Sequence, residues 1–392
     1  MHVVVPTFDF IRMLNNLKPL KTLVTTGFEF AVYTLETQGS DKLKLIVGDG
    51  TNLMASTEIF ADVKKEGKLS VNGNDFLQLM SKIHPDARGA GSKEIELKTT
   101  STKLHVKTYT NYVGAKKAVE NKREFSLLTK DLVAKETLQK TEYEFKIKAV
   151  FMSEIFKVLS RMVSAYTSDI AGLSGVLLRV KDKMLRFVVS DGKRILEVFF
   201  PEAVNCNDVD VILPKITCLL LQTLLMEGDT LKISYDGNRQ IKFEIDTQGL
   251  KTVVMSGIIV AYFPPYESIF NNTGEVLTMD VSILTDNITN IRRAIDDEAF
   301  RIHIKFDGDT LALGNYNYSD GHINFSNSNI PVVSSSSSGF EVLLNAFLLE
   351  SLISLIPAES ITLIIPENQP IILDNCDNSL RVRAALARAI AD

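Results

Sequence analysis

The chain has 392 residues, of which 45% are hydrophobic and 23% charged, with a net charge of -5; that is material for two to four domains, each with its own core. Cys206, Cys218 and Cys376 are scattered and form no CxxC pair, which excludes a disulfide framework and points to a reduced, cytoplasmic setting. No apolar run reaches the roughly 18 residues of a membrane span, and Met1 opens into a strand-like HVVV rather than a secretory leader.

In chain order, Phe10, Met13, Leu14 and Leu17 recur at helical spacing, predicting a helix with Thr7 as its cap and Pro19 as its stop. A strand pair follows (28–35 and 42–47), then Asp49-Gly50, then a second helix over 74–83 with Asn74 as cap. Strands over 94–109 complete the run. The same order returns: Met152, Ile155, Phe156, Leu159, Met162 and Val163 on a helix, strands 175–180 and 184–190, Asp191-Gly192, a helix over 214–225 and strands over 230–245. It returns a third time, with Leu284, Ile288, Ile291 and Ile295 on a helix capped by Asp280. Strands 300–306 and 310–317, Asp320-Gly321, a helix over 345–356 capped by Asn345 and strands over 361–373 follow.

One plan is thus used three times at domain spacing, too long for a solenoid. The expected fold class is α+β, three tandem domains each with two helices and a mainly antiparallel sheet. The expected domains are 1–140, 141–270 and 271–392, the second boundary at the linker-like Asn271-Asn272-Thr273-Gly274. The five-serine run Ser334–Ser338 reads as a loop inside the third copy.

The charge has a pattern. Arg12, Lys18 and Lys21 lie on or just after the first helix, and Lys82 and Arg88 on or after the second. Lys157 and Arg161 lie on the third, Lys215 opens the fourth, and Arg292 and Arg293 sit on the fifth. Acidic residues on these segments are fewer. Basic helix faces on an acidic protein fit a surface that meets nucleic-acid phosphates without reading bases. The last helix carries no Lys or Arg.

Nothing asks for catalysis. The histidines, His2, His84, His105, His303 and His322, make no metal-ligand spacing, so neither a metal nor a cofactor is expected. There is no GxSxG, Walker A or GxGxxG motif, and Asp-Gly is an ordinary turn between strands.

The second copy contains LSGVLLRVKDKMLRFVVSDGKRI (Leu173–Ile195), VILPK (Val211–Lys215) and YFPPYESI (Tyr262–Ile269). This resembles the bacterial DNA polymerase III beta subunit family, the DNA sliding clamps, and GDGTNLMAST (Gly48–Thr57) is similar to the matching region of its first domain. The resemblance implies two three-domain chains closed head-to-tail into a homodimeric ring, helices lining a hole for double-stranded DNA, and tethering of a DNA polymerase after a clamp loader has acted. The basic helix residues would then face the duplex.

The resemblance also implies a partner-peptide pocket at Leu173, Ser190, Gly192, Lys193, Arg194, Ile195, Pro264 and Ile269, with Phe347 on the last helix. Subunit closure is expected at edge strands of the first and third domains, beside Leu79, Ile83 and Ile295. The chain departs from the family at Pro265 and Ser268, in Ser168–Gly175, where aromatics are missing although Tyr166 is close by, and in its alanine-rich, helix-prone tail Ser379–Asp392. A clamp-like scaffold that binds proteins without encircling DNA is the alternative.

Overall fold

The computed structural model describes residues 1–23, 32–48, 53–80, 83, 92–110, 119–128, 138–149, 152–163, 170–226, 228–247, 250–294, 301–308, 310–317, 322–336, 339–376 and 380–389. The first run comprises β1 (His2–Pro6), α1 (Thr7–Leu23), β2 (Val32–Gln38), β3 (Lys42–Gly48), β4 (Leu53–Phe60), β5 (Asp62–Lys65) and β6 (Lys68–Asn72). It continues with α2 (Gly73–Met80), β7 (Ser92–Thr99), β8 (Lys103–Thr110) and β9 (Val119–Ser126). The second comprises β10 (Tyr143–Lys148), α3 (Met152–Met162), β11 (Gly175–Lys181), β12 (Met184–Ser190) and β13 (Arg194–Ala203). Then come β14 (Val209–Pro214), α4 (Lys215–Leu224), β15 (Thr230–Tyr235), β16 (Gln240–Thr247) and β17 (Leu250–Gly257). The third comprises β18 (Glu275–Asp280), α5 (Val281–Ala294), β19 (Arg301–Phe306), β20 (Leu311–Asn317), β21 (His322–Ile330) and β22 (Ser334–Ser335). It ends with β23 (Phe340–Asn345), α6 (Ala346–Ile353), β24 (Ser360–Ile365), β25 (Ile371–Asp374) and β26 (Val382–Leu386). The fold is α+β with mainly antiparallel sheets.

The strands obey one rule. In each copy the strand after the Asp-Gly position ends one half-sheet, and the last strand ends another. In the first compact unit, Met1–Lys157 with Leu213–Ile258, β6-β2-β3-β4 continues into β17-β16-β15-β10 as one sheet. Its seam pairs Leu53–Thr57 with Thr252–Ser256. In the second unit, Val158–Ile212 with Ile259–Asp392, β14-β11-β12-β13 continues into β26-β25-β24-β18, with Glu197 opposite Arg383 and Ile195 opposite Ala385 at the seam. Two half-sheets have no such continuation among the described residues. β9 is the edge of β5-β1-β7-β8-β9 in the first unit, and β21 is the edge of β21-β20-β19-β23 in the second.

The predicted helical stripes form the cores. In the first unit Phe10, Met13, Leu14 and Leu17 are buried, and Phe76 meets Phe10, Tyr33 and Phe125 at ring distances of 6.4, 6.2 and 5.1 Å. In the second, Leu284, Ile288 and Ile291 of α5 and Leu349, Leu352 and Ile353 of α6 are buried. The expected caps at Asp280 and Asn345 form. Asp280 Oδ1 accepts from the N–H groups of Ser282 at 2.8 Å and Ile283 at 3.2 Å, and Asn345 Oδ1 from Leu348 at 2.9 Å.

Four expectations need correction. α1 runs through Pro19 to Leu23: proline removes one helical hydrogen bond, but its fixed φ is itself helical. Thr7 is not a cap; it is the first residue of α1, and its buried hydroxyl has no hydrogen-bond partner. Asn72, not Asn74, caps α2, accepting from the N–H groups of Asn74 at 2.9 Å and Asp75 at 3.4 Å. The described part of the tail is not helical: Val382–Leu386 is a strand between β13 and β25. There Ala384 and Ala385 are buried on opposite faces, so tertiary pairing overrides alanine's helix propensity.

Candidate partner pocket and basic helix faces

Of the Asp-Gly dipeptides that recur at the same place in the three copies, Asp191-Gly192 lies among the described residues; Asp49-Gly50 and Asp320-Gly321 lie outside them. The Asp191 carboxylate builds the turn, accepting from the N–H groups of Lys193 at 3.0 Å and Arg194 at 2.7 Å. Gly192 takes a φ of +86°, a conformation that glycine adopts freely. Ser190 Oγ accepts from the Gly192 N–H at 3.1 Å and donates to the Arg194 carbonyl at 2.8 Å. Arg194 Nε and Nη2 donate to Asp191 Oδ2 at 2.8 and 2.6 Å, and its Nη1 donates to Ser351 Oγ of α6. The tail is registered on this turn, because the Ala387 N–H donates to the Lys193 carbonyl at 2.9 Å.

Beside the turn lies an apolar cluster. Leu173, Leu177, Val188, Ile212, Phe263, Tyr266, Phe270, Ile372 and Ala385 form it, with Ile195, Ile259, Ala261, Ile269 and Ile364 packed against it. Leu173, Ile195 and Ile269, three of the sequence-derived pocket residues, are therefore brought together. Pro264 lies half-buried between two members, Lys193 is exposed, and Phe347 is 51% exposed on α6 and not a member of the cluster.

The segment Phe263–Phe270 is held on the sheet by polar contacts as well. Its aromatic rings interlock edge to face, Phe263 with Tyr266 and Tyr266 with Phe270. The Tyr266 hydroxyl donates to Glu197 Oε1 at 3.2 Å. Burial, then the adjacent Glu197 carboxylate, pushes that phenol above its ordinary value. Glu197 is 0% exposed and is neutralised by Arg186 at 3.4 Å and Arg383 at 3.2 Å. Lys181 at 3.1 Å and Arg179 at 3.2 Å pair with Glu267, whose carboxyl is held below its ordinary value chiefly by the Lys181 hydrogen bond. Sequence reasoning missed Glu197. The signal was there, since a lone carboxylate inside the apolar run Ile195–Phe200 must find partners.

The basic residues are less uniform than their spacing implied. Arg12 on α1 donates to the Thr247 carbonyl at 2.9 Å, within the first unit. Lys18 is exposed on α1, which packs on α4, where Lys215 is the first residue. On α3, Lys157 is half-buried and Arg161 exposed. Arg292 pairs with Glu350 of α6 at 2.7 Å, at an angle short of a hydrogen bond, whereas Arg293 is exposed. The Lys21 and Leu79 side chains lie outside the described residues, as do Lys82, Arg88, Tyr166 and Ile295; Ile83 is buried.

Among the described residues no group of His, Cys, Asp and Glu could hold a metal ion, and no helix is long and apolar enough to cross a membrane. None of the three cysteines is in a disulfide, and burial pushes the Cys218 thiol up.

No family model matches the sequence, and no curated protein matches it. Solved structures do. The DNA polymerase III subunit beta from Pseudomonas aeruginosa superposes with a TM-score of 0.81 at 17% identity, covering 100% of both chains. A sliding clamp of the same organism with a ligand gives 0.82 at 16%, with the same coverage. The Helicobacter pylori beta clamp bound to a DNA ligase peptide gives 0.76 at 16%, again over 100% of both. Along its whole length, the chain has the fold of the DNA polymerase III beta subunit, the DNA sliding clamp.

Proposed function

We propose that this chain is a DNA sliding clamp: a cytoplasmic homodimeric ring of domains 1–140, 141–270 and 271–392 that encircles duplex DNA, tethers a DNA polymerase after loading, and performs no catalysis. The strand rule carries the reading. The last strand of the second copy completes a half-sheet of the first, and that of the third completes one of the second. The series leaves β21 and β9 as edges, and a β21–β9 seam between two chains continues it and closes a ring. The full-length likeness to clamps at TM-scores of 0.76 to 0.82 supports it.

Lys18, Arg161 and Arg293, the exposed ones, are then the leading phosphate contacts, with the half-buried Lys157 and Lys215 beside them. The cluster around Leu173, Ile195 and Ile269 is the site for a partner peptide; a clamp of this fold from Helicobacter pylori is bound to a DNA ligase peptide. The scaffold alternative draws on Arg12 and Arg292, whose guanidinium groups engage protein atoms.

Solution mass by light scattering, then retention on circular DNA after loading, tests the proposal. A mass twice 43.6 kDa and retention lost on linearisation are expected. A dimer that leaves closed circles as fast as linear DNA would favour the scaffold.

A further inference from the structure

On one face of the β12–β13–β26–β25 sheet, cross-strand rows alternate in chemistry. The row Ile195, Ala385, Ile372 is apolar and belongs to the cluster. The next row, Val188, Glu197, Arg383, Asp374, puts a fully buried carboxylate in the middle of the sheet. Beyond it, Phe199 carries three guanidinium groups, Arg186, Arg381 and Arg383, at 5.0, 5.6 and 4.8 Å from its ring centroid. A buried carboxylate is retained at a desolvation penalty unless charge and hydrogen bonds compensate it. Here the compensation links the sheet to the covering segment: Arg383 also lies over the Phe270 ring at 4.6 Å, Arg179 over the Tyr266 ring at 5.4 Å, and Tyr266 donates to Glu197 itself.

We propose that Glu197 is a positioning residue for the pocket wall: held by Arg186 and Arg383, its carboxylate anchors Tyr266 and so fixes the segment that carries Pro264 and Ile269. Its importance to partner binding rests on the clamp reading; its hold on the segment does not. Other nearby cations are held by different carboxylates, Arg381 by Asp374 and Arg179 by Asp210. Only Tyr266 reaches from the segment to the buried carboxylate among the described contacts.

The test is amide hydrogen exchange of the full chain, without DNA or partner. In Glu197→Ala, exchange over residues 262–271 should rise about tenfold or more, from loss of a charge-assisted hydrogen bond. Residues 231–245 of the first unit should not change. Tyr266→Phe should reproduce the rise with the charges intact. Unchanged exchange over 262–271, or a rise shared equally by 184–200 and 382–386, overturns the proposal, the latter because Glu197 would then only stabilise the sheet. Should Glu197→Ala fail to fold, Glu197→Leu with Arg186→Met and Arg383→Met removes the charges together. A refolded sheet with a loosened 262–271 supports the proposal, and a protected one overturns it. Failure of the clamp reading in DNA retention leaves these outcomes standing.

Discussion

Arg194 donates to the hydroxyl of Ser351, 157 residues further along the chain, while the same guanidinium grips Asp191 three residues back. The strand that leaves the Asp-Gly turn is thereby tied to α6, and the turn's shape and the helix's position become one geometric fact.

Ser351→Ala should therefore lower stability by about 1 kcal/mol, and Arg194→Ala by roughly 2 to 3 kcal/mol, because the second also takes the charged donor from Asp191 Oδ2 and leaves only the backbone N–H bonds to Oδ1. Lysine should not rescue it, having no planar fork. Urea unfolding of both variants checks this; equal losses would mean that the Asp191 pair contributes nothing.

Two glycines should fail for different reasons. A Cβ on Gly172 would lie 2.2 Å from the Tyr262 carbonyl oxygen, so Gly172→Ala must displace backbone and should cost about 1 to 3 kcal/mol. A Cβ on Gly192 meets nothing within 4 Å, and Gly192→Ala should cost only about 1 to 2 kcal/mol of backbone strain at φ +86°. Exchange at 262–271 should rise in the first variant alone.

Glu124 accepts from Lys103 at 2.8 Å and pairs with Lys122 at 3.2 Å. The Lys103 hydrogen bond, then that of Lys122, lowers its carboxyl from 4.5 to about 2. A depressed folded value means a contribution present above 4.5 and lost as pH falls from there through about 2. Carboxyl NMR titration should place the midpoint near 2 in the parent and higher in Lys103→Ala.

Arg292 and Arg293 are adjacent but should behave differently on DNA. Arg293→Ala should reduce the salt dependence of duplex binding by about 0.9 in the log–log slope, one phosphate contact. Arg292→Ala should change that slope less and destabilise α5 against α6, since it breaks the pair with Glu350. Equal slopes for the two variants would contradict this.

Much of this was legible from residue spacing. The apolar stripes of α1, α3 and α5 follow from helical period alone, and the Asp280 and Asn345 caps from local chemistry. Leu173, Ile195 and Ile269 came from motif resemblance and do meet in one cluster. The tail was misread because alanine's local preference says nothing about the open edge that β13 presents to Val382–Leu386. Glu197 was missed because its meaning depends on Arg383, 186 residues away, a pairing that only the sheet register creates.

The seam between β4 and β17 has a consequence for assembly. A protein built from a single such copy would carry Leu53–Thr57 as a bare strand, its backbone donors and acceptors facing water or another chain. The tandem arrangement supplies that cover from the same chain, so the strand is paired at any protein concentration rather than only when two molecules meet.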